Sequence, residues 1–315
     1  MAYTSGDTIE ATHYNGFVAS VNALWGTGTS NRGIGQTTTT ISTVSSSDTI
    51  TATQWSTLLD RIRSLSDHYG QDASITVDTV TNPTSGDTIS AYATLSADIG
   101  TIDAAQIAVA SVAAGYQTAV TDTAVVSGTF TTTITQTDTL TFGSANEMRY
   151  FFNAGGRVSV SWNVAGGTAD AKYNEWVDLA NTLAGTYYIY NTTGGVSGGS
   201  GTPTTNLTTT GFWDLGTGTT TMYKQLADTA PYTANYIQLD ASLNAAAGSS
   251  TVMTLTSTWQ DDEADETSYN KNIYNVLDQV DGSKTTTFSY EAPATTYITA
   301  TWGTPAWATT VNTES

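Results

Sequence analysis

Three copies of one short stem constrain this chain more than any other feature. "SGDTIEATHYNG" (Ser5 to Gly16) returns as "SSDTITATQWST" (Ser46 to Thr57) and as "SGDTISAYATLS" (Ser85 to Ser96), a period of about forty residues. Such a unit buries its apolar face only by packing on its neighbours or on symmetry mates. In each copy Ser-Gly/Ser-Asp reads as a turn, marked by Asp7, Asp48 and Asp87. The Ile that follows points to the core. A nearby hydroxyl (Thr12, Thr51, Thr53 or Ser90) is a candidate acceptor for free N–H groups at a helix start.

Helical periodicity follows the first two stems. Tyr14, Phe17, Val18, Val21 and Leu24 fall on one helix face, and Trp55, Leu58, Leu59, Ile62 and Leu65 repeat their offsets. Gly26 and Gly70 sit where C-terminal caps are expected. Tyr14, Phe17, Val21, Trp55, Leu58 and Ile62 are the candidate assembly residues of these helices. The third copy is looser. Leu95, Ile99 and Ile102 fit a helical face that Gly100 interrupts, and a further helical stretch is predicted from Ala104 to about Ala119. The segment between the first helices, "GTGTSNRGIGQTTTTISTV", begins glycine-rich and is predicted to end as a strand. It follows a helix and has no adjacent Lys or Walker spacing, so it does not read as a phosphate loop.

From about Val125 the pattern turns to strands and tight turns. "MRYFFNAGGRVSVSW" is predicted to be a hairpin, with Asn153-Ala154-Gly155-Gly156 as its turn. Tyr173, Trp176, Val177, Ala180 and Leu183 make one amphipathic helix, ended by Gly185. "GGVSGGSGTPTTN" reads as a mobile loop, and strands are predicted at "YIQLDASLN", "TVMTLTSTW", "KTTTFSYEA" and "TTYITATWG". The predicted fold class is α+β, mainly β. Repeated turn–strand–helix units over 1–124 serve docking or oligomerisation. An antiparallel β-sandwich or jelly-roll-like region follows over 125–315, with one helix inserted near 171–184.

Composition narrows the function classes. Charged residues are 12% of the chain, against a usual ~25%, and threonine, at roughly a fifth, takes their place. Nine Lys+Arg against 28 Asp+Glu give a net charge of −19, which opposes binding to nucleic acid or to an anionic membrane surface. Cysteine is absent, so disulfides, thiol nucleophiles and thiolate metal sites are excluded. "MAYTSGDT" has neither a basic nor an apolar region of a signal peptide, so none is expected, and no apolar run is long enough to span a bilayer.

The motifs of catalysis are missing. His13 and His68 lie in different repeat units, and no G-x-S-x-G elbow occurs. Asp261, Asp262, Glu263, Asp265 and Glu266 form an acidic cluster whose oxygens suit calcium, but its spacing is not that of an EF-hand. The expected reading is a solvated loop, with no metal and no cofactor. Trp213, Trp302 and Trp307 flank turn residues, which makes them candidate glycan contacts as well as candidate core or interface residues.

Several of these segments resemble virion structural proteins of tailed phages, especially those infecting cyanobacteria. That family carries a "T-I-T-A-x-x-[YW]-N" stem, a "G-Y-G-Q" loop and a second stem. The matches are Thr8-Ile9-Glu10-Ala11 with Tyr14-Asn15, then Gly33-Ile34-Gly35-Gln36, then Thr49-Ile50-Thr51-Ala52 with Trp55. Ile34 stands where the family has Tyr, and Ser56 where it has Asn. "RYFFNAGGRVSVSW" resembles the family's "R-x-F-F-N-x-G-G" segment, and a Trp-bearing helix follows both. The resemblance covers residues 1–70 and 140–190. It implies a non-enzymatic virion component of the tail, a fibre or the baseplate, made in the host cytoplasm and carried in the extracellular particle. The implied partners are other virion proteins and further copies of the chain, a trimer being favoured. A neck or head-decoration protein is the alternative within the virion, and a host-glycan binding module the alternative outside that class.

Overall fold

The computed structural model describes the chain apart from residues 1–8, 88, 90–91, 264–266, 270–274, 278–279, 309–310 and 315. Ser5 to Thr8 of the first stem, Thr88 and Ser90 of the third, and Asp265 and Glu266 therefore lie outside the described residues. The fold is mixed α and β, with five α-helices, two large antiparallel sheets and a separate two-stranded ribbon among the described residues. Contacts divide the chain into two compact units. The first combines Met1–Thr118 with Ala145–Gly156 and Ala292–Gly303; the second holds Ala119–Ser144, Arg157–Glu291 and Thr304–Ser315.

In the first unit, α1 (Ala11–Trp25), α2 (Ala52–Tyr69) and α3 (Leu95–Ile107) pack pairwise. Helices α1 and α2 begin at the same place in their stems, directly after Glu10 and Thr51. Thr51 makes a full capping box: its Oγ1 accepts from Gln54 N–H at 3.2 Å, and Gln54 Oε1 accepts from Thr51 N–H at 2.8 Å. Glu10 makes no side-chain cap. The turns before the second and third copies close in one way. The Asp48 carboxylate accepts from Ser45 N–H at 2.9 Å, and that of Asp87 from Thr84 N–H at 2.8 Å. Gly70 ends α2 at φ +66, whereas Gly26 closes α1 in a different conformation. Helix α3 runs through Gly100, and no helix continues beyond Ala108 to Ala119.

The segment predicted to end as a strand after α1 makes a 3-10 turn over Thr37–Thr39 and belongs to no sheet. Two asparagines on α1 do the work of a neighbouring strand. Asn15 donates to Val44 O at 2.8 Å and accepts from Val44 N at 2.9 Å; Asn22 does the same for Ile41 at 2.8 and 2.9 Å. Each carboxamide satisfies one donor and one acceptor of the passing backbone.

The predicted 148–162 hairpin is instead a helix followed by a strand. Helix α4 (Ala145–Asn153) buries Met148, Phe151 and Phe152, an i, i+3, i+4 set that the Tyr150/Phe152 alternation disguises. Gly156 N–H donates to Phe151 O at 2.8 Å and Gly155 N–H to Phe152 O at 2.9 Å, a Schellman stop. Gly155 has φ +90, and a Cβ there would lie 2.4 Å from Val112 Cγ1. "TTYITATWG" is irregular and belongs to this unit rather than to a sheet.

The second unit holds the sheets. Its strands are β1 (Val120–Ser127), β2 (Thr133–Thr141), β3 (Arg157–Ala165), β4 (Thr186–Ile189), β5 (Gly194–Ser197), β6 (Thr205–Asn206), β7 (Thr220–Leu226), β8 (Tyr236–Leu243), β9 (Val252–Gln260), β10 (Thr267–Tyr269), β11 (Asn275–Leu277), β12 (Ser283–Glu291), β13 (Ala306–Trp307) and β14 (Val311–Glu314). One sheet runs β1-β12-β3-β4-β5. The other runs β13-β2-β9-β8-β7-β6, with β14 also on β2. Strands β10 and β11 pair with each other. The segment read as a mobile loop thus contributes β5 and β6. Helix α5 (Ala171–Asp178) continues into a wide π turn to Leu183, and Gly185 follows at φ +69.

Strict alternation sets the faces of the long strands. Ile134, Gln136, Asp138 and Leu140 of β2 point inward, and Thr133, Thr135, Thr137 and Thr139 outward. Outward threonines pair across strands, as Thr137 and Thr256 do at 3.1 Å between hydroxyls. This accounts for much of the threonine excess, because a β-branched side chain suits a half-exposed strand face. The inner faces meet through aromatic and polar side chains. Trp162 of β3 stacks on Tyr223 of β7 with centroids 5.4 Å apart, and its N–H donates to Ser257 Oγ of β9 at 2.8 Å. Gln136 donates to Ala124 O at 3.0 Å and Lys284 O at 3.2 Å, and accepts from Trp259 Nε1 at 2.9 Å.

Candidate functional site

The residues expected to form assembly contacts are spent inside the first unit. Tyr14, Val21, Trp55, Leu58 and Ile62 are fully buried, and Phe17 is half-buried. An aromatic cluster joins the three stems: Phe17 meets Tyr92 at 5.4 Å, Trp55 stacks on Tyr92 at 6.5 Å, and Tyr14 lies 6.4 Å from Trp55. Neighbouring helices of the same unit cover these apolar faces, Phe17 only in part.

The most elaborate site in this unit brings together the two segments that carry the resemblance. The loop after α1 turns its carbonyls toward α4. Arg149 donates from Nη2 to Thr27 O at 3.2 Å and Arg32 O at 3.4 Å, and from Nε to Ser30 O at 3.3 Å. Asn153 donates to Ser30 O at 3.3 Å and Gly33 O at 3.0 Å. A planar guanidinium with five N–H groups suits several converging carbonyls better than an ammonium would. Gly35, at φ +76, lies against Tyr150, and a Cβ there would fall 2.5 Å from the ring. Gln36 fastens the loop to 292–303: it donates to Thr299 O at 2.6 Å and accepts from Thr299 N–H at 3.3 Å. Trp302 of that segment is 2% exposed, so it presents no face to a sugar, and its assignment as a glycan contact is corrected.

Behind the joint lies a buried polar network. Gln106 Oε1 accepts from Gly33 N–H at 3.2 Å, while its Nε2 donates to Leu24 O at 3.1 Å and meets the Tyr69 hydroxyl at 2.8 Å. Tyr69 donates to Asn153 O at 2.8 Å, and burial pushes its phenol pKa up. His68 Nε2 lies 2.8 Å from Ala154 O, which fixes the proton on Nε2. Its Nδ1 is buried without a hydrogen bond, and burial lowers the imidazole's proton affinity. His68 is thus a buried core residue anchored through Nε2.

A cavity of about 690 Å³ opens between the second and third stems, lined by Ile50, Ser56, Pro83 and Asp87 among others. Its carboxylate is already engaged. Asp87 Oδ2 accepts from Thr84 N–H and from Thr84 Oγ1 at 2.7 Å, bonds that hold its pKa down. Asp67 on α2 and Asp78 beyond it have their pKa values pushed up chiefly by burial, with Asp72 adding like charge to both.

In the second unit Asp261, at the start of the acidic run, is drawn inward, while Asp262 stays exposed. Asp261 is buried with its Oδ2 2.8 Å from Lys172 Nζ. Asp262 accepts from Gln260 Nε2 at 2.9 Å, and Glu263 O accepts from Lys172 Nζ at 2.7 Å. An ammonium occupies the place a cation would take at Asp261, which corrects the solvated-loop reading for that residue. A different set of carboxylates converges. Oxygens of Glu175, Asp178 and Asp228 lie within 4.8 Å of one another, with Glu175 Oε1 accepting from Asp228 N–H at 3.0 Å and Thr229 N–H at 3.1 Å. The i, i+3 spacing of Glu175 and Asp178 on α5 was visible in the sequence; the approach of Asp228 was not.

Trp307 closes an edge between the sheets. Its ring lies 6.2 Å from both Phe288 and Tyr290, and its N–H donates to Val120 O at 3.0 Å. Trp213 is half-buried, edge-on to Phe212 at 5.2 Å. Trp302 and Trp307 thus each serve the packing of their own unit. No helix among the described residues is long and apolar enough to cross a membrane. No protein-family model matches the chain, and no curated protein or solved structure matches it either.

Proposed function

We propose that the chain is a non-enzymatic structural protein of a tailed-phage virion, resident in the tail, a fibre or the baseplate. The observation that carries this reading is the joint in the first unit. Arg149 and Asn153, from the "R-x-F-F-N" segment, bind the carbonyls of the loop that leads into Gly33-Ile34-Gly35-Gln36. The residues that carry the resemblance thus act on each other, and Gln36 adds a third segment. Motif residues committed to an internal joint support a role in architecture rather than in turnover.

On this reading the three stems are copies of one turn–extended–helix packing unit, and the two facing sheets form a jelly-roll-like sandwich. The chain acts through contacts with other virion proteins and with its own copies, a trimer being the expected state for a fibre. Those contacts use surfaces other than the buried α1 and α2 faces. A neck or head-decoration position is the alternative within the particle. Protein identification on gradient-purified particles tests the proposal. A fixed copy number per particle is expected, and a particle reconstruction then separates tail from neck or head. A chain abundant in the lysate but absent from purified particles overturns the proposal.

A further inference from the structure

Helix α5 meets the end of β9 through two side-chain pairs. Lys172 and Trp176 lie one turn apart on the helix; Trp259 and Asp261 lie two residues apart at the strand end and point the same way. The indoles of Trp176 and Trp259 are 5.9 Å apart, and Phe130 lies edge-on to Trp176 at 5.2 Å. Lys172 Nζ is 2.8 Å from Asp261 Oδ2, and both side chains are 0% exposed. Each partner is held from behind: Nζ also donates to Glu263 O at 2.7 Å, and Asp261 N–H donates to Thr132 O at 2.7 Å.

A dry ion pair of this kind has a second chemical outcome. Without water, separated charges lose their solvation, and transfer of one proton from ammonium to carboxylate leaves a neutral amine beside a neutral acid. The amine is then a nucleophile whose Nζ lies 2.8 Å from an oxygen of the acid, and the fold keeps the two groups together. We propose that Lys172 and Asp261 condense into an intramolecular amide. The Nζ–Cγ bond forms, the Cγ–OH bond of the acid breaks, and the departing hydroxyl leaves as water with a proton from the amine. Ammonium plus carboxylate thus gives amide plus water, and no oxidant, reductant or cofactor takes part. In a chain without cysteine, this bond supplies a staple that reducing agents leave intact. It closes the chain from α5 to the end of β9, limiting the freedom of the unfolded state as a disulfide would.

Intact-mass spectrometry of the full chain under denaturing conditions reads the bond directly. The expected mass is one water below that of the sequence, and a digest is expected to yield one branched peptide joining the segments around Lys172 and Asp261. Lys172→Arg keeps the charge but removes the amine nucleophile, so it is expected to show no water loss. Asp261→Asn is expected to form the same amide with loss of ammonia. Should either variant fail to fold, the wild-type measurement still decides. A wild-type chain at its full sequence mass overturns the proposal, as does a water loss that maps to any other residue.

Discussion

The two units solve the same problem, the satisfaction of backbone polar groups, by different means. In the second, strands pair with strands over long registers, such as Thr133–Thr141 of β2 on Val252–Gln260 of β9. In the first, side chains stand in for missing strands: Asn15 and Asn22 hold Val44 and Ile41, Gln36 holds Thr299, and Arg149 with Asn153 gathers the carbonyls of a loop. A ladder spreads its energy over many equivalent bonds. A clamp concentrates it in one residue, so the first unit depends on polar single residues in a way the sheets do not.

The largest expected loss nevertheless lies in the sheet unit, at an aromatic residue that is also polar glue. Trp259 is fully buried and donates to Gln136 Oε1 and to Thr286 Oγ1 at 3.1 Å. Trp259→Ala removes the ring and its donor together and is expected to cost about 4 kcal/mol in urea unfolding. Gln136→Leu, which keeps the volume, separates the two contributions. If Gln136→Leu alone matched the loss from Trp259→Ala, the sheet unit would rest on its polar centre, and the contrast drawn above would fail.

Arg149→Ala tests the clamp directly. It leaves Thr27 O, Ser30 O and Arg32 O without this donor, for an expected cost of about 3 kcal/mol. Arg149→Lys is expected to recover only part of that, since a single ammonium cannot fork to three carbonyls. Full recovery by lysine would mean that charge, not geometry, holds the joint. Hydrogen exchange gives the sharper readout, with the loss of protection expected in Gly26–Gln36 and α4.

The next contrast is in pH rather than in size. The chain's two histidines, His13 and His68, both belong to the first unit. His68 has a lowered pKa because it is buried, so the unfolded chain binds its proton first as pH falls. The stability that His68 contributes is intact above about pH 6.5 and is lost as pH falls through the lowered folded value. Asp67 and Asp78, with raised values, work in the opposite direction on acidification, so wild type must be read against His68→Gln, which leaves both in place. Between pH 7.5 and 5.5 wild type is expected to lose stability relative to that variant. Parallel curves would show that His68 is not a proton-linked residue.

The same contrast explains what the sequence made legible. Strands β8, β9 and β12 carry period-two patterns, and α1, α2 and α5 carry period-3.6 faces; local spacing defines each of them. Helix α4 departs from the expected hairpin because Gly155 supplies the positive φ that a hairpin turn and a Schellman stop both require. The clamps left little trace. Asn15 and Asn22 reach backbone 29 and 19 residues away, and no rule of spacing ties a carboxamide to such a partner. Their separation of seven on one helix face was the available signal. The Lys172–Asp261 pair was less legible still, since the acidic run around Asp261 reads as solvated when a buried partner such as Lys172 is distant in sequence.

The smallest predicted effect compares the stems themselves. Thr51 and Glu10 occupy the same position before α2 and α1, but Thr51 completes a capping box and Glu10 makes no side-chain cap. Thr51→Ala is expected to cost about 1 kcal/mol, because a helix N–H loses its acceptor and Gln54 loses part of the reason to fold back. Glu10→Ala is expected to cost less, since no first-turn N–H depends on that side chain, although His13 Nδ1 lies 3.9 Å from its carboxylate. Equal losses would make the two helix starts energetically equivalent despite their different bonds. A larger loss at Thr51 would show that one stem position has specialised, the second copy fixing where its helix begins and the first relying on the packing of Tyr14, Val18 and Val21 to do so.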